Sequence, residues 1–321
     1  MPTGSSRLKG IGAALIVVGL ACLRDAGALA APAAGPRSPA PPPIDVSGAS
    51  TIEYEDATQE WVFRGARVVI VRGTVRIEAP EILYHAGAHQ IEVPRGGTIS
   101  TPSFEVEADR IVAMLPTRHV MASGSVRGRF LSEAAAQGDA AGRGDAAAQG
   151  EASPGGDAAQ DGRWATFSAE TVEADDRPDA GQVVATGQVA VLRGNQQLRA
   201  DRIVYDRKTR QGTADGHAVL AQGPDRLQAD HLVADLDRDE AEARDHVMLE
   251  GEDMRGVADH ATLSQRAQTV VLDGHVILYR GRARLEAERA TILLAEHTTI
   301  AEGHPAKIIS GAAASPPEPA P

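Results

Sequence analysis

The chain has 321 residues, a net charge of −12, one cysteine and only 3% aromatic residues. Acidic residues spread along its whole length leave no basic stripe, which excludes nucleic acid as a partner. The apolar residues are mostly Ala, Val, Leu and Ile, which suit many thin strands better than one thick globular core.

Residues 1–30 read as an export signal peptide. Arg7 and Lys9 form a basic start, Ile11 to Leu23 is an apolar run of 13 residues, and Ala28-Leu29-Ala30 is a small-x-small cleavage site. The run is short for a bilayer span. Cleavage after Ala30 removes Cys22 and leaves no thiol for a disulfide. Lipidation at Cys22, or retention of the signal as an anchor, are the other two readings, and each takes the chain out of the cytoplasm. Residues 31–48 follow as a Pro/Ala-rich linker.

From Ala49 to Ser310 the chain repeats every 29 residues. Ala200-Asp201, Ala229-Asp230, Ala258-Asp259 and Ala287-Glu288 stand one period apart, and Gly187, Gly216, Asp245, Gly274 and Gly303 form a second ladder at the same step. Ala49, Ala79, Ala108 and Ala169 extend the first ladder upstream. The step from Ala108 to Ala169 is 61, and removing the 32 residues of 132–163 restores 29. That segment has no Val, Ile, Leu or aromatic residue and reads as a disordered insertion, as does the tail 311–321. A fixed period of this length implies stacked units sharing one core, so function belongs to a long repeated surface.

Each period carries two turn signals, Arg193-Gly194-Asn195 and Asp206-Arg207-Lys208-Thr209 in one unit, with alternating apolar runs between. The pattern predicts an all-β fold: about 16 antiparallel strands joined as successive hairpins. In the glycine strands Ala185, Val189, Val191, Ala214, Ala218, Leu220, Ala243, Val247, Leu249, Leu272, Val276 and Leu278 share one parity. In the alanine strands the apolar residues lie two before the alanine (Leu198, Leu227, Leu285, with Gly256 the exception) and three to five after it (Ile203, Tyr205, Leu232). Those two sets differ by an odd number. They share a core only if each strand is bulged or sharply bent near the Ala-Asp pair, which creases the whole sheet.

The run "ATGQVAVLRGNQQLRADRIVYDRKTRQGTADGHAVL" resembles the OstA-like repeat of the LptA family of lipopolysaccharide transport proteins, shared with LptC and the LptD N-terminal domain. G-x-V-x-V, a turn, then L-x-A-D-x-I-x-Y-D carry the likeness. The resemblance implies a periplasmic β-jellyroll over residues 49–310, interrupted by 132–163, that holds the acyl chains of lipid A and passes lipopolysaccharide outward. Its expected partners are lipopolysaccharide, other transport proteins docked on the terminal edge strands, and further copies of the chain head to tail. The expected groove residues are Val189, Val191, Leu198, Ile203, Tyr205, Leu220, Leu227, Leu232, Val247, Leu249, Leu272, Val276, Leu278 and Leu285. The residues themselves fit either an open apolar trough or a closed core; Ala185, Ala214, Ala218 and Ala243 leave room for the former.

His217, His246, His275 and His304 recur at the period, and His231 and His260 follow Ala-Asp. Equivalent side chains two strands apart stand about 9.6 Å from each other, too far to share one zinc ion, and no metal or cofactor is expected. The Ala-Asp carboxylates recur in every unit, whereas an active site is needed once. They are expected to accept backbone N–H groups freed by the bulge. With no nucleophile elbow, P-loop or paired-cysteine motif, no enzyme is expected. The rival functions are a lipid-free envelope scaffold pairing through its terminal strands, and a membrane-anchored adaptor like LptC.

Overall fold

The computed structural model describes residues 44–102, 104–131, 164–175, 181–206, 208–296, 298–303 and 307–310. The expected signal peptide with Cys22, linker residues 31–43, the insertion 132–163, the tail and His304 lie outside the described residues. Two compact units divide the chain, one ending at Ala185 and one running from Thr186 onward.

In the N-terminal unit lie β1 (Asp45–Ser47), β2 (Thr51–Glu55), β3 (Glu60–Arg72), β4 (Val75–His85), β5 (Gln90–Val93), β6 (Gly97–Ser100), β7 (Phe104–Ala108), β8 (Arg110–Met114), β9 (His119–Leu131) and β10 (Trp164–Asp175). Strand β11 (Gln182–Arg193) crosses the division. The C-terminal unit continues with β12 (Gln196–Asp206), β13 (Gln211–Gln222), β14 (Asp225–Asp235), β15 (Glu240–Glu250), β16 (Met254–Ser264), β17 (Thr269–Arg280), β18 (Ala283–Leu293), β19 (Thr298–Glu302) and β20 (Lys307–Ser310).

No helix occurs among the described residues, and the long strands pair antiparallel, β3 with β4 and β12 through β18 each with the next. Four of the twenty segments are second halves. β1 and β2 lie along β3, β5 and β6 along β4, β7 and β8 along β9, and β19 and β20 along β18. Counting each pair once leaves 20 − 4 = 16 full-length strands, the number the repeat predicts.

Turn chemistry sets both ends of each hairpin. Gly73, Gly194, Gly223 and Gly281 open the tight two-residue turns at φ between +57° and +61°, the conformation a type II′ hairpin requires of its first central residue. The opposite turns end on Gln59, His89, Arg118, Arg210, Asp239 and Gln268, each a single left-handed residue.

The crease is visible in the register. In β12–β13 the pairing jumps from Arg199↔Val219 to Arg202↔Asp215, so two residues of β12 face three of β13. In β13–β14 two residues of β13 (Gly216 and His217) face one of β14. The glycine strand therefore carries one extra residue relative to both neighbours, and the same holds for β15 and β17. The extra residue is accommodated by two consecutive left-handed residues: Gly216-His217, Asp245-His246 and Gly274-His275. The parity of the alanine strand flips at the same place, with Ala200 and Ile203 both buried. The bulge expected near Ala-Asp is present, but its added residue sits on the neighbouring strand. A strand turning an outside corner needs more backbone on the convex side, and this insertion supplies it.

Candidate functional site

Inward-facing side chains of the C-terminal unit line up across strands. Register links Leu198↔Leu220, Leu220↔Leu227, Leu227↔Leu249, Leu249↔Gly256, Gly256↔Leu278 and Leu278↔Leu285, a leucine ladder ending at Leu285↔Ile308. Gly256 interrupts it only in sequence: a Cβ there would stand 2.5 Å from Leu278 Cδ2, so Leu278 fills the space. Beyond the bend runs a mixed row: Ile203↔Ala214, Ala214↔Leu232, Leu232↔Ala243, Ala243↔Ala261, Ala261↔Leu272 and Leu272↔Ala290. Large residues among small ones across facing arms let two such surfaces interdigitate.

Thirteen of the fourteen residues expected to line a groove are buried; Leu285 is half-buried. Leu227 and Leu249 are 1% exposed and Leu272 is 0%. A single sheet cannot cover its own face, so the arms on either side of the bend pack onto each other. The room that Ala214, Ala218 and Ala243 leave is filled, since these are 0–1% exposed themselves. Of the two arrangements the sequence leaves open, these side chains take the closed one here.

Cover runs out at the terminal strands. Ile308, the last rung of the ladder, is 72% exposed on β20. In the N-terminal unit Ile52 on β2 is 57% exposed, although it pairs with buried Phe63 and so faces inward. Tyr54 and Trp61 stand beside it with ring centroids 4.5 Å apart and are also part-exposed.

On the convex side three corners are latched by a histidine–aspartate hydrogen bond. His217 Nδ1 lies 2.9 Å from Asp201 Oδ2, His246 Nδ1 2.7 Å from Asp230 Oδ2, and His275 Nδ1 2.7 Å from Asp259 Oδ2. A second row holds His231 Nδ1 2.9 Å from Asp215 Oδ1. Each carboxylate also lies over the Cα of its glycine so closely that a Cβ at Gly216 or Gly274 would overlap it. Hydrogen bonds donated to the neighbouring aspartates push the imidazoles of His217, His231 and His246 above their ordinary pKa. The partner these aspartates show is thus an imidazole, where backbone N–H groups were expected. The signal was available in sequence as a constant spacing of 16 from aspartate to histidine. Among the described residues no three His, Cys, Asp or Glu side chains gather as a metal site.

Within the C-terminal unit, a sheet creased at successive strands, aliphatic inside and charged along its outer corner, defines a repeat β-protein. Residues 166–292 and 256–310 match the model of the LptA/(LptD N-terminal domain) LPS transport protein family. The family is one of transport proteins. Among solved structures, LptH of Pseudomonas aeruginosa, the LptA-homologous periplasmic component of a lipopolysaccharide transport device, is similar at 14% identity and a TM-score of 0.25. That likeness covers 57% of this chain and 96% of that one. Comparison with curated protein sequences finds no match.

Proposed function

We propose that this chain is a periplasmic carrier in lipopolysaccharide export, holding lipid acyl chains between the two arms of its creased sheet. The observation that carries the reading is the leucine ladder, continuous from β12 to β18 and left uncovered at its last rung, Ile308. Each methylene moved from water onto that ladder contributes about 0.8 kcal/mol. Because the interior is closed at rest, a lipid enters from an open end and parts the arms as it advances. The energy for net movement comes from elsewhere.

The uncovered terminal strands suit pairing with other transport proteins or with a second copy. β2 presents one unpaired edge and β19–β20 the other, and such edges add strands readily. Concentration-dependent end-to-end oligomers are expected in sedimentation velocity; a monomer at every concentration counts against this part.

Photo-crosslinking from a probe at Val247 or Leu278 to radiolabelled lipopolysaccharide tests the carrier reading. Adducts at both interior sites are expected. A second reading, a lipid-free envelope scaffold, is favoured by the near-zero exposure of those same side chains. Adducts absent from every interior position would decide for the scaffold.

A further inference from the structure

The period allows one repeat to be compared with the next, and one interior position breaks the rule. The first inward residue after each tight turn is Gln196, Asp225, Met254 or Ala283, each 29 from the last. Met254 is buried and apolar, as the fold allows. Asp225 is also buried, at 2% exposure, and its Oδ1 has no hydrogen-bond partner. It shares parity with buried Leu227 and Ala229 on β14, so its carboxyl points the same way they do. Burial, with Glu252 adding its charge, pushes this carboxyl up to about 6. A buried acceptor without a partner is destabilising, and the neighbouring repeats show that the fold does not demand it.

The surroundings of Asp225 are polar in one row only. Gln222 pairs with it across the hairpin and accepts from Gln196 Nε2 at 3.4 Å. Arg193 ends β11 at the same height, in phase with Val189 and Val191, part-buried enough to lower its pKa. Directly beneath this row lies the apolar one of Val191, Leu198, Leu220 and Leu227. A carboxylate, two amides and a guanidinium along the lip of an aliphatic interior match an amphiphile whose chains end where its polar head begins.

We propose that Asp225 anchors a head-group subsite at this lip, accepting a hydrogen bond from a hydroxyl or amide N–H of the carried lipid. The proposal rests on the carrier reading above and adds to it a fixed depth at which the lipid sits. Leucine at 225 removes the acceptor and the unpaired buried group together, so stability and binding move in opposite directions, which a purely structural residue does not do.

The test uses the full chain with two probes, lipopolysaccharide and palmitate, the second having chain but no hydroxyl or amide. In Asp225→Leu the Kd for lipopolysaccharide is expected to rise about tenfold, the loss of one hydrogen bond to a charged group, while palmitate binding is unchanged and the melting temperature rises. Asp225→Asn keeps an acceptor without the charge and should fall between, which covers a leucine variant that fails to fold. Unchanged lipopolysaccharide affinity in both variants overturns the subsite and leaves the carrier reading intact. Equal losses for both probes also overturn it, as general damage to the interior. A wild-type protein that takes up neither probe removes the carrier reading and the subsite with it.

Discussion

The two units solve one problem with different chemistry. The C-terminal unit turns its corners by a repeated left-handed pair, capped by aspartate and histidine in β13, β15 and β17, and fills its interior with leucine. In the N-terminal unit the corner changes from strand to strand. β3 carries three unpaired residues, Gly65-Ala66-Arg67, against one on β4. β5 and β6 are separated at left-handed Gly96, and only β9 has the doublet, with Ser125 where β13, β15 and β17 have histidine. Eight of the ten aromatic residues fall in this unit, including every Phe and Trp. Its outer face is stitched by arginine–glutamate rungs: Arg64–Glu81, Arg110–Glu92, Arg129–Glu105 and Arg67–Glu78. A bend is therefore a geometric requirement that several residue sets meet. That freedom accounts for a family match starting only at residue 166, since sequence similarity follows the residue set and geometry does not.

The largest test of this contrast is removal of one interior side chain from each unit. Phe167 packs against Phe130 with ring centroids 6.1 Å apart, and it occupies the space above Gly128. Phe167→Ala should destabilise by about 3–5 kcal/mol and Leu249→Ala by about 2–5 kcal/mol in urea unfolding. A loss under about 1 kcal/mol for either would mean that its interior is loosely filled.

Glycine substitutions sharpen the comparison. A Cβ at Gly128 would stand 2.5 Å from the Phe167 ring and 2.6 Å from the Glu105 carbonyl oxygen, neither of which can step aside. At Gly256 the close neighbour is the end of Leu278, a flexible side chain. Gly128→Ala is expected to cost about 1–3 kcal/mol, and Gly256→Ala less. Equal costs would contradict the view that rings make the N-terminal interior the stiffer one.

Within the C-terminal unit one corner is imperfect. Asp245 stands where its equivalents are glycine, at φ +61°, and its charge acts on His246, which Asp230 already serves. Asp245→Gly should stabilise by about 1 kcal/mol, through relief of the left-handed strain. A destabilised variant would show that the carboxylate at 245 does something the glycines do not.

How much of this was legible in the sequence depended on whether the signal was periodic. The strand number, the inward parity and the crease followed from spacing alone, because twelve residues from Ala185 to Leu278 repeat one phase and all twelve are buried. Which strand carries the extra residue did not follow. That depends on cross-strand register, and the odd offset could be placed on either neighbour. The recurrence of the histidines was visible but their partners were not, since pairing them with aspartate requires knowing which residues the hairpin brings level. Asp225 escaped notice because burial of a carboxylate next to a Gly-Pro turn has no local signature. It became visible only as a departure from Gln196, Met254 and Ala283 once exposure was known.

The smallest expected effect is on pH, and its sign separates the units' corners. His217, His231 and His246 have folded pKa values raised by their aspartates, so their contribution is complete below about 6.5 and is lost as pH rises through the folded values. Asp225 acts in the same direction. Its folded carboxyl keeps its proton up to about 6, so its penalty is absent in acid and grows as pH rises from 3.8. Glu242, held low by Arg244, and Asp235, held low by the Arg238 backbone N–H, oppose this, but only below about 4.5, where they protonate. The C-terminal unit should therefore be more stable near pH 5.5 than at pH 8. Hydrogen exchange of peptides from residues 198–280, corrected for the intrinsic rate, should show protection falling over that interval. Replacing His217 and His246 by asparagine keeps a residue that tolerates the left-handed corner and removes the imidazole with its titration. If the slope in the double variant equals that of the wild type, these two His–Asp latches are ornaments of the corner and the pH response belongs to His231 and Asp225.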